Sequence, residues 1–178
     1  MITKKQLETL YGKYNKYNLI SPDPLQFVHV YKNNADREVV ALIAACFAYG
    51  NVKQIIKTVD KILAILGPAP KDFLLKTDKA ALNKAFDGFK YRFTTQEELV
   101  TFLLAIQAVL KKYGTLENLF AAEYEKSKDY IAALRAFAAE IRRHGKVDTL
   151  IPNPEKGSAL KRLNLCLRWC IRKDEVDP

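Results

Sequence analysis

The run Asp36–Tyr49 (DREVVALIAACFAY) constrains the fold more than any other stretch of the chain. Beyond its first turn it is apolar on nearly every side, and a helix without a polar face belongs in the middle of a fold. Asp36 suits the N-cap or the first turn, where a carboxylate opposes the helix dipole. Gly50 and Asn51 then break the run: glycine permits a left-handed C-cap, and asparagine caps the next helix. Residues 52–66 return as an amphipathic helix. Val52, Ile55, Ile56, Val59, Ile62, Leu63 and Leu66 lie on one side, and Lys53, Gln54, Lys57 and Lys61 on the other. Gly67, Pro68 and Pro70 stop it. These two helices form the predicted core, and the turn between them presents Lys53, Gln54 and Lys57 beside two small residues.

The rest of the chain reads as helix after helix. Residues 3–17 place Leu7, Leu10, Tyr11, Tyr14 and Tyr17 at helical spacing, a stripe that reads as core packing in preference to base stacking. Residues 18–24 are a turn-rich break, and 24–31 a short helix whose His29 reads as a packed side chain. Shorter helices follow at 71–76 and 78–86. Gly88 to Thr95 is a loop in which aromatic and basic residues alternate at Lys90, Tyr91 and Arg92. Residues 96–112 carry Glu97 and Glu98 in the first turn, Lys111 and Lys112 in the last, and Gly114 beyond. Two more helices span 116–124 and 127–144. No stretch alternates with period two. The predicted fold class is all-α, about eight to ten helices in one domain over residues 1–178.

A chain of 178 residues can bury a real core. Its net charge of +9, from 29 basic and 20 acidic side chains, favours polyanionic partners such as nucleic acid. Between Arg142 and Lys173, nine basic residues face only Asp148 and Glu155, so most of the excess sits in the last fifth of the chain. The N-terminus has no apolar core of signal-peptide length, and no uncharged run approaches about 20 residues. A cytoplasmic protein with no membrane span is expected. Cys46, Cys166 and Cys170 are an odd number inside apolar helical runs, which fits reduced, buried thiols. Cys166 and Cys170 lie four apart, but His29 and His144 are the sole histidines and no third cysteine is near. No metal site or cofactor is expected.

The basic excess centres on Ile151–Lys173 (IPNPEKGSALKRLNLCLRWCIRK). Pro152 and Pro154 keep the residues before them out of helix, and Ser158 suits an N-cap. On a helical wheel Ala159, Leu160, Leu163, Cys166, Leu167, Cys170 and Ile171 gather on one side. Lys161, Arg168 and Arg172 fall within roughly 20° of one another on the other, flanked by Arg162 and Trp169. The result is a cationic amphipathic helix entered through a glycine-containing turn whose N–H groups can receive an anion. A solvated helix face behind a polar turn fits the same pattern. Walker, GxGxxG, HExxH and serine-elbow motifs are absent. Lys156 and Lys161 can act as amine nucleophiles only if desolvated.

Four segments are similar to a bacterial family of proteins of unknown function: DREVVALIAACFAYGNVKQIIK, FDGFKYRFTT, LKKYGTLENLF and LIPNPEKGSALKRLNLCLRWCIRKDEVD. That family distantly resembles the helix-hairpin-helix DNA glycosylases of the endonuclease III type, repair enzymes that flip a damaged base into a pocket between two helical lobes. The resemblance implies that Gly157 and Ser158 occupy a phosphate-gripping turn and that Lys161 matches the nucleophilic lysine, with Lys156 its rival. It also places Gly50, Asn51 and Gln54 near a turn that probes the duplex. The chain departs from that pattern. PNPEKGS is not the usual Leu-Pro-Gly-Val-Gly hairpin, and the downstream aspartate segment and four-cysteine cluster are missing. A shortened chain, inactive in glycosidic bond cleavage by itself, is therefore expected.

Three functions are compatible with these residues. The first is a DNA-repair-like, glycosylase-like protein with an incomplete catalytic site. The second is a non-catalytic module holding duplex DNA, or structured RNA, through Lys156, Gly157, Ser158, Lys161, Arg162, Arg168 and Arg172. The third is a helical interaction domain whose basic face docks an acidic protein.

Overall fold

The computed structural model describes residues 2–178. Its elements are α1 (Lys4–Tyr14), α2 (Gln26–Val30), α3 (Asn34–Phe47), α4 (Val52–Leu66), α5 (Pro70–Lys76), α6 (Lys79–Ala85), β1 (Lys90–Tyr91), β2 (Thr94–Thr95), α7 (Gln96–Tyr113), α8 (Leu116–Ser127), α9 (Tyr130–Arg142) and α10 (Lys161–Ile171). The fold is thus mostly helical, as the sequence predicts. The exception is a two-stranded antiparallel hairpin pairing Lys90 with Thr95 and Tyr91 with Thr94. It is too short to leave a period-two signal.

Two helices organise the core. Every residue of α3 from Val39 to Phe47 is essentially sealed from solvent, as an all-round apolar run requires. α2, α4, α5, α8 and α10 pack around it. α7 buries Leu99, Phe102, Leu103, Ile106 and Val109 completely, and α5, α6, α8 and α9 pack against it. Caps fix the boundaries. Asn33 takes the N-cap of α3 and leaves Asp36 in the first turn, where the buried carboxylate accepts the Lys71 N–H at 2.9 Å. Asn51 caps α4 through the Lys53 N–H, and Gly67 ends it with φ +72°. Among the described residues no single helix is long and apolar enough to cross a membrane.

Three expectations are corrected. The stripe on α1 is not core: none of its residues is buried, and Leu7, Leu10, Tyr11 and Tyr14 are all about half exposed. Amphipathic spacing reports that a helix has an apolar face, not that the fold covers it. Ser158 does not cap the last helix either. Its oxygen accepts the Leu160 N–H at 3.2 Å, while Leu160, left-handed at φ +48°, precedes α10 without a side-chain cap. Finally, Leu160 and Leu163 of the predicted face of α10 are buried, but the inward side of the helix is rotated toward Trp169 at the far end. Trp169 is buried and Arg162 half-buried, whereas Cys170 and Ile171 are exposed. Not all three thiols are therefore buried.

Candidate nucleic-acid interface

Basic side chains gather where the turn between α3 and α4 meets the β hairpin. The capped start of α4 buries Ile55, Val59 and Ile62 and so turns Lys53, Gln54, Lys57 and Lys61 outward, every one exposed. A chain of hydrogen bonds attaches the hairpin to that turn. The Glu98 carboxylate accepts from the Thr149 N–H at 2.6 Å and from its hydroxyl at 2.7 Å. A carboxylate is acceptor only, so the remaining hydroxyls line up as donors in sequence: Thr94 to Thr149 at 2.5 Å, and Tyr49 to Thr94 at 2.7 Å. Tyr91 closes the arrangement by donating its hydroxyl to the Tyr49 carbonyl. Burial pushes the Tyr91 hydroxyl up from its ordinary value, which keeps it protonated as a donor.

This attachment holds the hairpin tip, Arg92 and Phe93, against solvent. Arg92 is left-handed at φ +50°, and Phe93 is 74% exposed, with the Arg92 guanidinium 5.8 Å from its ring centre. Gly50 is needed here for two reasons. Its φ is +101°, and a Cβ would lie 2.8 Å from Arg92 Nη1. A cleft of about 520 Å³ opens between α4 and the hairpin, edged by Asn51, Gln54, Lys57, Lys61, Lys90 and Arg92 over a floor that includes Phe86, Phe89 and Tyr91. Asp87 is the single carboxylate lining it. Among the described residues, Lys53, Lys57, Lys61, Lys90 and Arg92 make no ion pair.

The turn before α10 is a second, smaller concavity of about 240 Å³. It brings together Ser158, Lys161 and Arg162 with Leu150, Pro152 and Leu163; Lys156 and Gly157 are exposed outside that lining. No carboxylate or imidazole lines it. Lys161 is exposed as the first residue of α10, and Arg168 lies two turns on. Gly157 has the positive φ of +80° that closes the preceding turn.

Two predicted contacts are committed inside the protein. Arg162 donates to the Cys46 carbonyl at 2.7 Å and stacks on Tyr49, 4.9 Å from the ring centre. It thereby fills one of the terminal acceptors that α3 leaves open. Arg172 grips the Asp177 carboxylate at 2.9 and 3.0 Å and pairs with Asp174. The Asp177 carboxylate beside it pushes the Arg172 guanidinium further up. The sequence pattern thus puts the cations on the right helix without revealing their partners, which lie on other elements or in the tail. Lys53, Lys57, Lys61, Lys90, Arg92 and Phe93 join the surface, although sequence reasoning selects only Gly50, Asn51 and Gln54 as site residues on this side. The signal is present in Lys90-Tyr91-Arg92-Phe93, where two aromatics alternate with two cations ahead of a threonine pair.

The cysteines are free. Burial pushes Cys46 up to about 12. Cys166 and Cys170 share a hydrogen bond that raises the first and lowers the second. Among the described residues no three His, Cys, Asp or Glu side chains are grouped to hold a metal.

A family model described as a protein of unknown function, DUF2400, matches residues 23–178, and the chain belongs to that family. No curated protein and no solved structure matches it.

Proposed function

We propose that this DUF2400 chain binds duplex nucleic acid, DNA in preference to RNA, through the α4–hairpin surface. One observation carries the reading: five cations without ion-pair partners lie on α4 and the hairpin that a hydrogen-bond chain attaches beside it, with an exposed phenylalanine at the hairpin tip. The cations on α4 extend from Lys53 to Lys61, about 12 Å along the helix axis. That span exceeds one phosphate group and suits a backbone that repeats its charge every few ångströms. Phosphate contacts of this kind position a protein without reading sequence. Phe93 supplies a flat apolar surface for a base taken out of the duplex stack, worth about 1–3 kcal/mol when such a base stacks on it. Lys161 and Arg168, together with the turn at Lys156, Gly157 and Ser158, extend the basic surface along α10. Arg162 and Arg172 act indirectly, by holding α10 and the tail. The glycosylase-like part of the reading rests on Lys161 as an amine facing an abasic sugar.

The test is fluorescence anisotropy with a labelled duplex, the same duplex carrying an abasic-site analogue, and a structured RNA. Lys57→Glu with Lys61→Glu is expected to weaken duplex binding by at least about tenfold, the cost of losing two phosphate contacts. Unchanged affinity would overturn the assignment of the surface. Tighter binding to the abasic duplex that disappears in Lys161→Ala supports the glycosylase-like reading. Equal binding to both duplexes leaves a phosphate-gripping module. No binding at low salt would remove the nucleic-acid reading in favour of an acidic protein partner, and tighter binding to RNA would move the preference to RNA.

A further inference from the structure

α10 carries two thiols four residues apart, Cys166 and Cys170, and nucleic-acid binding uses neither. Both line a pocket of about 410 Å³ that opens among α3, α8, α9 and α10. Cys170 is exposed there and Cys166 is half-buried. The two share a hydrogen bond in which Cys166 donates and Cys170 accepts. That bond holds the Cys170 thiol below its ordinary value, against the apolar walls of the pocket and the Glu38 and Glu117 carboxylates, and pushes Cys166 up. The thiolate is the nucleophile of a cysteine. Exposure and the donated hydrogen bond therefore both make Cys170 the first to react. Cys46, sealed inside α3 and pushed up to about 12, is the least reactive of the three.

Helix geometry brings the pair close to bonding distance. Four residues rise about 6 Å along an α-helix, inside the roughly 4.4–6.8 Å that disulfides span between Cα atoms. The Cβ atoms at this spacing stand about 5–6 Å apart and must close to about 3.5–4.5 Å. Cys170 lies one residue from the end of α10, and Arg172 beyond it is already extended; a helix end frays and gives where a helix middle does not. We propose that Cys166 and Cys170 are a modification site for a peroxide, with Cys170 the attacked thiol and Cys166 the resolving one. The Cys170 thiolate attacks one oxygen of hydrogen peroxide: the S–O bond of a sulfenic acid forms, the O–O bond breaks and hydroxide leaves. Cys166 then gives up its proton and its sulfur attacks that of Cys170. The S–S bond forms, the S–O bond breaks, and the departing hydroxide takes the proton to become water. Two thiols are oxidised to one disulfide, and one peroxide is reduced to two waters. A small thiol reverses the modification by exchange. This site shares no lining residue with the α4–hairpin cleft, so the proposal is independent of nucleic-acid binding.

The experiment treats the full chain with hydrogen peroxide, blocks the remaining thiols with iodoacetamide in denaturant, and reads a tryptic digest by mass spectrometry. Trypsin cuts after Arg162, Arg168 and Arg172, so the two thiols fall in separate peptides, 163–168 and 169–172. The expected product is those two peptides joined and lighter by two hydrogen atoms, from a protein that still runs as a monomer on a non-reducing gel. Cys46 is expected to be fully alkylated, and dithiothreitol to restore both peptides. In Cys166→Ser the joined product is expected to vanish and Cys170 to accumulate as a sulfenic acid that dimedone traps. The wild-type digest needs no variant, so a folding defect in Cys166→Ser does not blunt it. Cys170 running on to sulfinic acid in the wild type without joined peptides would overturn the pairing. So would a disulfide to Cys46 or to a second chain. Oxidation of Cys166 at an undiminished rate in Cys170→Ser would overturn the assignment of Cys170 as the attacked thiol.

Discussion

Arg162→Ala separates a structural arginine from a nucleic-acid contact. The guanidinium donates to the Cys46 carbonyl at 2.7 Å, a hydrogen bond from a charged group worth about 1.5–3 kcal/mol. Its approach to Tyr49, 4.9 Å from the ring centre, adds about 0.5–1 kcal/mol. Removing it leaves the buried C-terminal end of α3 with an open acceptor and detaches α10 from the turn that carries Gly50. The expected loss is about 2–4 kcal/mol, or roughly 5–15 °C in melting temperature for a chain of this length. Urea denaturation followed by far-UV circular dichroism measures it. Binding of a labelled duplex, measured well below the melting point, should fall far less than for Lys57→Glu with Lys61→Glu. A stability loss under about 0.5 kcal/mol together with a marked loss of affinity would refute the reasoning and make Arg162 a phosphate contact.

Other substitutions bear on the remaining parts. Gly50→Ala places a Cβ 2.8 Å from Arg92 Nη1 at φ +101°; a loss of about 1–3 kcal/mol in thermal stability is expected, with weaker duplex binding as Arg92 is displaced. Phe93→Ala exposes no core and should leave the melting temperature unchanged while weakening nucleic-acid binding by about 1–3 kcal/mol in an anisotropy titration. Arg172→Ala strips the Asp177 carboxylate, whose side chain is 6% exposed, of its bidentate partner. The expected cost is about 1–3 kcal/mol, with faster hydrogen exchange in the tail at Val176. Burial holds the Glu38 carboxyl above its ordinary 4.5, against the opposing pull of the two α8 N–H groups and Lys71. An acid whose pKa rises on folding favours the folded state below its unfolded value. Relative to Glu38→Gln, the wild type should therefore be most stable below pH 4.5 and lose that advantage as the pH rises through the folded value, as read by denaturation at a series of pH values.

The helix at 52–66 was legible to the residue because every local signal agreed: an asparagine cap, one apolar face, and a glycine followed by prolines. α3 was equally plain, since a run without a polar face has only one place to go. What escaped the sequence depended on partners far along the chain. The tyrosine stripe of α1 has core spacing, yet Leu7 and Leu10 stay about half exposed because the described residues do not cover them. The Lys90–Tyr91 strand is two residues long, so no alternation marks it, and its position comes from Tyr49 and Thr149 on other elements. Arg162 and Arg172 look like solvated cations on a wheel. Only the fold brings the Cys46 carbonyl to one, and only the turn of the tail brings Asp177 to the other. The basic face of α10 was readable as chemistry; which of its charges remain free was not.

The most direct test of nucleic-acid binding at the α4–hairpin surface is the salt dependence of duplex affinity, measured for the wild type and for Lys57→Gln with Lys61→Gln. Each phosphate neutralised contributes about −0.9 to the slope of log affinity against log salt. With Lys53, Lys57, Lys61, Lys90 and Arg92 engaged, the wild type should show a slope of about −4 to −5, and the double variant a slope shallower by about 2. A slope near zero, or one that the double variant leaves unchanged, would contradict the claim that this surface holds the phosphate backbone.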